Sequence, residues 1–164
     1  MVPLYKTIVR PILEYGNVVW APKFRKDIDR IEAVQRRFTK RVCDVKDDEY
    51  DIRLQKLRLP SLEFRRARGD MIETYKILHE IYDSNTTSTL FSLNVSSGTR
   101  GHPYKITKLS CNTNLYQHFF TNRIINNWNN LPPHIVMAKT LNSFKNLLDK
   151  HWQDYRYQTN LTIK

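Results

Sequence analysis

Glycine is scarce in this chain, with four in 164 residues. So few leave no phosphate-cradling loop, and neither a GxGxxG nor a Walker pattern occurs. Cysteine is scarcer still. Cys43 and Cys111 stand far apart, without CxxC or CxxH spacing. That speaks against a disulfide framework and against a zinc site. No run approaches the ~18 uninterrupted apolar residues of a membrane span. The opening string Met1-Val2-Pro3-Leu4-Tyr5-Lys6 lacks the apolar run of a secretory signal. We therefore expect an intracellular chain, cytoplasmic or nuclear, neither secreted nor membrane-bound. Sequons at Asn85, Asn94 and Asn160 then read as chance matches in an Asn/Thr-rich sequence. Acids are few as well: 16 Asp and Glu face 27 Lys and Arg, a formal charge of +11. Such a balance favours phosphate-rich partners.

What is present is helical periodicity. Apolar residues at 40% and charged residues at 26% suit a globular protein. A first helix is predicted over residues 4–15, bent by Pro11 and stopped by Gly16. A second spans 27–42, with Ile28, Ile31, Val34, Phe38 and Val42 on one side and Arg30, Arg36, Arg37, Lys40 and Arg41 mostly on the other. A short third helix covers 49–57. Leu59-Pro60-Ser61 then gives a stop and an N-cap serine. Phe64, Ala67, Met71, Tyr75, Leu78 and Tyr82 form the stripe of the fourth helix, with helical charge pairs expected for Glu63–Arg66, Arg66–Asp70 and Glu73–Lys76. Residues 84–99 read as a loop and 99–109 as extended. Helix resumes near Asn114 with the stripe Tyr116, Phe120, Ile124 and Trp128, and Leu131-Pro132-Pro133 ends it. A last helix spans 141–152, and the tail beyond 154 is expected to fray.

The fold class that follows is mainly α: a small multi-helix bundle with an extended loop or short β segment near residues 99–109. Residues 1–82 form a first helical region, 83–113 a connector and 114–164 a C-terminal helical region. The first half carries 18 bases and 13 acids, the second 9 bases and only 3 acids.

Paired aspartates can hold two metal ions in a polymerase. Asp47-Asp48 lacks the preceding aromatic and the flanking strands of such a site, so we read it as a helix cap. The basic face Arg36, Arg37, Lys40 and Arg41 can track phosphates while the apolar face anchors the helix; an ordinary solvated face is the alternative. Arg65 and Arg66 are weaker phosphate candidates with helical acid neighbours. Arg123 lies beside an apolar stripe, where it either meets a ligand or bonds within the fold. Arg100, His102, Tyr104, Lys105 and Lys108 mix basic and aromatic groups, as single-strand binders do. The other reading is a connector laid across the helices. Five scattered histidines give no HExxH-like spacing and no nucleophile triad.

The strings themselves resemble a known family. Leu4-Tyr5-Lys6-Thr7-Ile8-Val9-Arg10-Pro11-Ile12-Leu13-Glu14-Tyr15-Gly16, with Val19-Trp20-Ala21-Pro22, is similar to the segment just after the palm of non-LTR (LINE-type, jockey-like) retrotransposon reverse transcriptases. Val34-Gln35-Arg36-Arg37-Phe38, Leu59-Pro60-Ser61-Leu62, Gly69-Asp70-Met71-Ile72-Glu73, Thr99-Arg100-Gly101-His102, Trp128-Asn129 and Asn142-Ser143-Phe144-Lys145 continue it in family order over about residues 4–152. Ser110, Cys111, Asn112 and Asn114 stand where relatives often carry arginines.

The resemblance implies a thumb-like helical region and the segment after it, which pack on a template–primer duplex. It places the catalytic aspartates and their magnesium upstream, in a palm this chain lacks. The expectation is thus a truncated reverse-transcriptase fragment with no catalytic residue, metal ligand or cofactor of its own. Its expected partners are an RNA–DNA or other duplex and the rest of the polymerase. The alternatives are a free-standing helical DNA-binding protein or a structural docking module.

Overall fold

Pro11 shapes the first helical stretch. It has no N–H to give the carbonyl four residues back, and its ring crowds the preceding turn. In the computed structural model α1 (Val2–Leu4) passes into a π-helical turn (Tyr5–Val9) and then α2 (Arg10–Glu14), the Arg10 N–H bonding the carbonyl of Tyr5. The stretch ends as predicted at Gly16, whose φ of +64° suits a residue without Cβ. The structure describes residues 1–83, 89–94, 101–108, 110, 113, 116 and 118–161. The loop read at 84–99, the sequon at Asn85, Thr99, Arg100, Cys111 and the onset near Asn114 fall outside them, apart from residues 89–94.

The chain is mainly α-helical, and it divides into two compact units. Unit 1 combines residues 1–67 with 153–162, and unit 2 holds 68–152 with 163–164. The sequence reading set its boundaries elsewhere, at 82 and 113.

In unit 1 the N-terminal stretch is followed by α3 (Arg25–Lys40), a 3₁₀ turn (Cys43–Val45), α4 (Tyr50–Leu57) and the start of α5 (Leu62–Leu78). Its apolar centre includes Tyr5, Leu54 and Leu59, with Val2, Val9, Phe38, Tyr50, Leu57 and Tyr157 against it. Tyr5 and Phe38 stack at 4.3 Å. Arg58 takes the left-handed conformation that closes α4. Ser61 caps α5, its hydroxyl accepting the Phe64 N–H at 3.2 Å, as the Leu-Pro-Ser string predicts. The described tail, to residue 161, is held in place rather than frayed. A 3₁₀ turn (Gln153–Tyr155) leads to Arg156, whose carbonyl accepts the Ser61 N–H at 3.1 Å, and the Asn160 N–H reaches Glu63. Tyr157 supplies the apolar anchor that no periodicity in the tail announces.

In unit 2, Phe120, Ile124 and Trp128 are buried, as the stripe predicts, while Tyr116 is 63% exposed. Among the described residues, the later part of the predicted single helix is two short ones, α6 (Phe120–Arg123) and α7 (Ile125–Asn129). Pro133 opens a further helix rather than only closing one, since its fixed φ suits a first turn. That helix is α8 (Pro133–Val136). The last helix, α9 (Leu141–His151), is capped by the Thr140 hydroxyl and buries Phe144 and Leu148. Tyr75 stacks on Phe144 at 4.3 Å and donates its hydroxyl to the Ala138 carbonyl at 2.6 Å. Residues 101–108, expected to be extended, are only partly so: 103–104 form a turn and Ile106 alone sits in a β bridge. Among the described residues the β pairing is a single bridge, Leu93 to Ile106. The connector reading describes this segment: Asn129 bonds both the N–H and the carbonyl of Ile106 at 2.9 Å, and the Trp128 indole donates to the Tyr104 carbonyl. No described helix is long and apolar enough to cross a membrane.

Candidate nucleic-acid interface

The side of α3 turned inward is not the apolar stripe. Its buried residues are Glu32, Gln35 and Thr39. Ile28, Ile31 and Phe38 are half-buried, and Val34 is 36% exposed. At ~100° per residue, the buried trio is centred roughly 70° round the helix from the expected stripe. Directional bonds set this rotation. The Glu32 carboxylate accepts the Leu62 N–H at 3.0 Å, the Glu63 N–H at 3.3 Å and the Tyr50 hydroxyl at 2.7 Å. Its charge thereby meets the positive N-terminal end of α5. Gln35 accepts the Tyr5 hydroxyl at 2.8 Å and donates to the Pro60 carbonyl at 3.0 Å. The Thr39 hydroxyl accepts from buried Arg53 at 3.1 Å. Burial pushes the Glu32 carboxyl above its ordinary value, against the opposing pull of these donors. The Tyr5 and Tyr50 hydroxyls are also pushed well up, first by burial and then by Glu32.

The outward side of α3 is basic. Lys26, Arg30, Arg36, Arg37, Lys40 and Arg41 are all exposed. On the wheel, Lys26, Arg30, Arg37, Lys40 and Arg41 share one strip, with Arg36 at its edge. At 1.5 Å per residue the strip runs ~22 Å. Two acids of this helix are engaged off the strip, Glu32 by burial and Asp29 by Arg25 at 2.7 Å, while Asp27 lies 3.7 Å from Arg30 on it. Lys26, Arg36, Arg37, Lys40 and Arg41 form no ion pair with the described residues. Arg36 stacks on the Tyr50 ring at 4.9 Å. Lys26 is absent from the sequence reading because the apolar period starts the helix at 27; carrying the basic spacing back from Arg30 by one turn finds it.

The remaining site residues fall into the fold's own contacts. Arg65 pairs through both arms with Glu14. Arg66 is buried, 7% exposed. Glu63, expected to pair with Arg66, binds Arg25 at 2.9 Å. In unit 2 Arg123 grips Asp70 through two bonds, at 2.9 and 2.8 Å, which is the structural alternative for this residue. Glu73 and Lys76 pair as expected, at 3.1 Å. Lys105 belongs to the connector, where its carbonyl accepts the Asn94 N–H. His102 is buried beside Trp128, with Nε2 3.2 Å from the Trp128 carbonyl. Arg100 lies outside the described residues. The structure thus gathers Arg36, Arg37, Lys40 and Arg41 on one surface of unit 1.

Asp47 and Asp48 do not cap α4. Glu49 is its N-cap residue, without a side-chain cap bond, because the Asp48 carboxylate turns to Lys56 at 2.8 Å while its carbonyl accepts from Arg53. Among the described residues no group of three His, Cys, Asp or Glu side chains is placed to hold a metal ion. No protein-family model, no curated protein and no solved structure matches the chain.

Proposed function

We propose that unit 1 binds the phosphate backbone of nucleic-acid duplexes, without sequence preference, through the outward face of α3. The observation that carries this is the run of exposed cations, Lys26, Arg36, Arg37, Lys40 and Arg41, that form no ion pair with the described residues, although Asp29 and Asp51 act on Arg36 through space. Opposite them, Glu32, Gln35 and Thr39 bond the helix in place, so its cations are presented on a fixed support. A straight strip ~22 Å long meets several successive phosphates, and each one neutralised releases a counterion. Within α3 no exposed aromatic side chain lies between these cations, and the neighbouring Tyr50 ring is covered by Arg36, which favours a duplex over a stacked single strand.

Taken with the ordered family strings, this reading makes the chain a thumb-like and post-thumb region of a non-LTR retrotransposon reverse transcriptase. It assigns no catalytic step and no cofactor to these residues, and the remainder of such a polymerase is a second partner.

The test is a salt series of duplex binding by the wild type and by R36A/R37A/K40A/R41A. The variant is expected to bind more weakly and to lose roughly 3–4 from the slope of log affinity against log salt, at ~0.9 per phosphate contact. Duplexes of unrelated sequence are expected to bind alike. Identical binding of wild type and variant at low and moderate salt overturns the assignment.

A further inference from the structure

The N-terminal helical stretch and α3 bound an open cleft of about 420 Å³, lined by Leu4, Val9, Val34 and Phe38 together with Arg37 and Arg41. That volume lies within the range of binding clefts, ~300–1,000 Å³. The apolar surface extends past it: Leu4, Ile8 and Ile12 recur every fourth residue and are 63%, 55% and 72% exposed. Exposed large apolar side chains grouped on one short stretch mark an interaction surface. No acid lines the cleft, and its two arginines have no ion-pair partner among the described residues.

We propose that this cleft receives an amphipathic helix of a partner protein, with apolar side chains at i, i+4 and i+7 and Asp or Glu flanking them. Charge complementarity selects this occupant. A nucleic acid would answer Arg37 and Arg41 but leave the apolar row in water. A second copy of this chain, docked about a two-fold axis, would bring another Arg37 and Arg41 to the same interface. A helix with an apolar seam and acidic flanks answers both features, in the helix-in-groove manner. Arg37 and Arg41 also belong to the proposed duplex surface, so the two ligands would compete for them.

The test uses the full chain and a designed, fluorescently labelled helical peptide with Leu at i, i+4 and i+7 and Glu on its flanks. Saturable binding is expected, weakened about tenfold by L4Q/V34Q and about fivefold by a peptide with Lys in place of each Glu. In R37E/R41E the preference is expected to invert, the Lys peptide binding better than the Glu peptide. L4Q/V34Q is expected to keep wild-type duplex binding, so failure of the cleft assignment and failure of the duplex assignment are read separately. Circular dichroism establishes that each variant is folded. The proposal is overturned by no saturable binding up to on the order of 1 mM peptide, or by equal affinity for Glu and Lys peptides. It is equally overturned if L4Q/V34Q instead abolishes self-association or anionic-vesicle binding and leaves the peptide untouched.

Discussion

The carboxylate of Glu32 and the backbone N–H of Leu62, thirty positions apart, meet at 3.0 Å inside unit 1. This bond, with those to Glu63 and Tyr50, joins the middle of α3 to the first turn of α5. Replacing Glu32 by Ala is expected to cost about 3–5 kcal/mol, because it strips the α5 terminus and the Tyr50 hydroxyl of a buried acceptor. Glu32→Gln keeps the shape and one acceptor and is expected to cost about half as much. Urea unfolding of the three proteins checks the order.

Glu32 also sets a pH dependence. Its folded carboxyl titrates above the ordinary value of 4.5, with burial as the largest cause. The folded state therefore holds the proton more tightly than the unfolded one. Its contribution is fully present below 4.5 and is lost as pH rises through the folded value. The stability difference between wild type and E32Q is expected to shrink as pH rises from 4.5, measured by urea midpoints across a pH series.

The histidines of unit 2 act in the opposite direction. Burial lowers both His79 and His102 from the ordinary 6.5, against the one backbone bond each ring makes through Nε2. The unfolded state then binds the proton more readily. Their contribution is present above 6.5 and is lost as pH falls from there through the folded values. Thermal unfolding followed by tryptophan fluorescence is expected to show a falling midpoint below 6.5, less steep in H79Q/H102Q.

Arg123 and Asp70 form a two-pronged pair whose side chains are 16% and 10% exposed. Arg123→Ala is expected to destabilise by about 2–4 kcal/mol, leaving the Asp70 charge half-sheltered. Arg123→Lys keeps the charge but not the fork, and is expected to recover less than half of that loss. Double-mutant cycles with D70N measure the coupling.

Asn129 holds residues 101–108 by imitating the edge of a strand. Asn129→Asp turns one of its two donor–acceptor contacts into a clash of oxygens with the Ile106 carbonyl. A loss of about 1–3 kcal/mol and faster proteolytic cleavage within 101–108 are expected, read by limited proteolysis and mass spectrometry.

The helices were largely legible because apolar spacing and stop signals are local. Gly16, Ser61 and the stripe Phe120, Ile124 and Trp128 lie where those rules put them. The orientation of α3 was not. Hydropathy treats Glu32 and Gln35 as surface residues, yet the groups that satisfy them are Tyr5, Tyr50, Pro60 and Leu62, on other segments. Long-range pairing likewise decides between partners that helical spacing offers equally, as when Glu63 takes Arg25. The basic strip could be read from spacing alone, because exposed side chains need no partner to define their place.

Unit 1 is written in two pieces, with residues 68–152 between them. A ribosome delivers Ser61 and Glu63 long before it delivers Arg156, Tyr157 and Asn160. Until those residues emerge, the apolar cluster of Tyr5, Leu54 and Leu59 lacks the cover of Tyr157, while residues 68–152 have already been made. Unit 1, which presents the basic helix, is therefore begun before residues 68–152 and completed only after them.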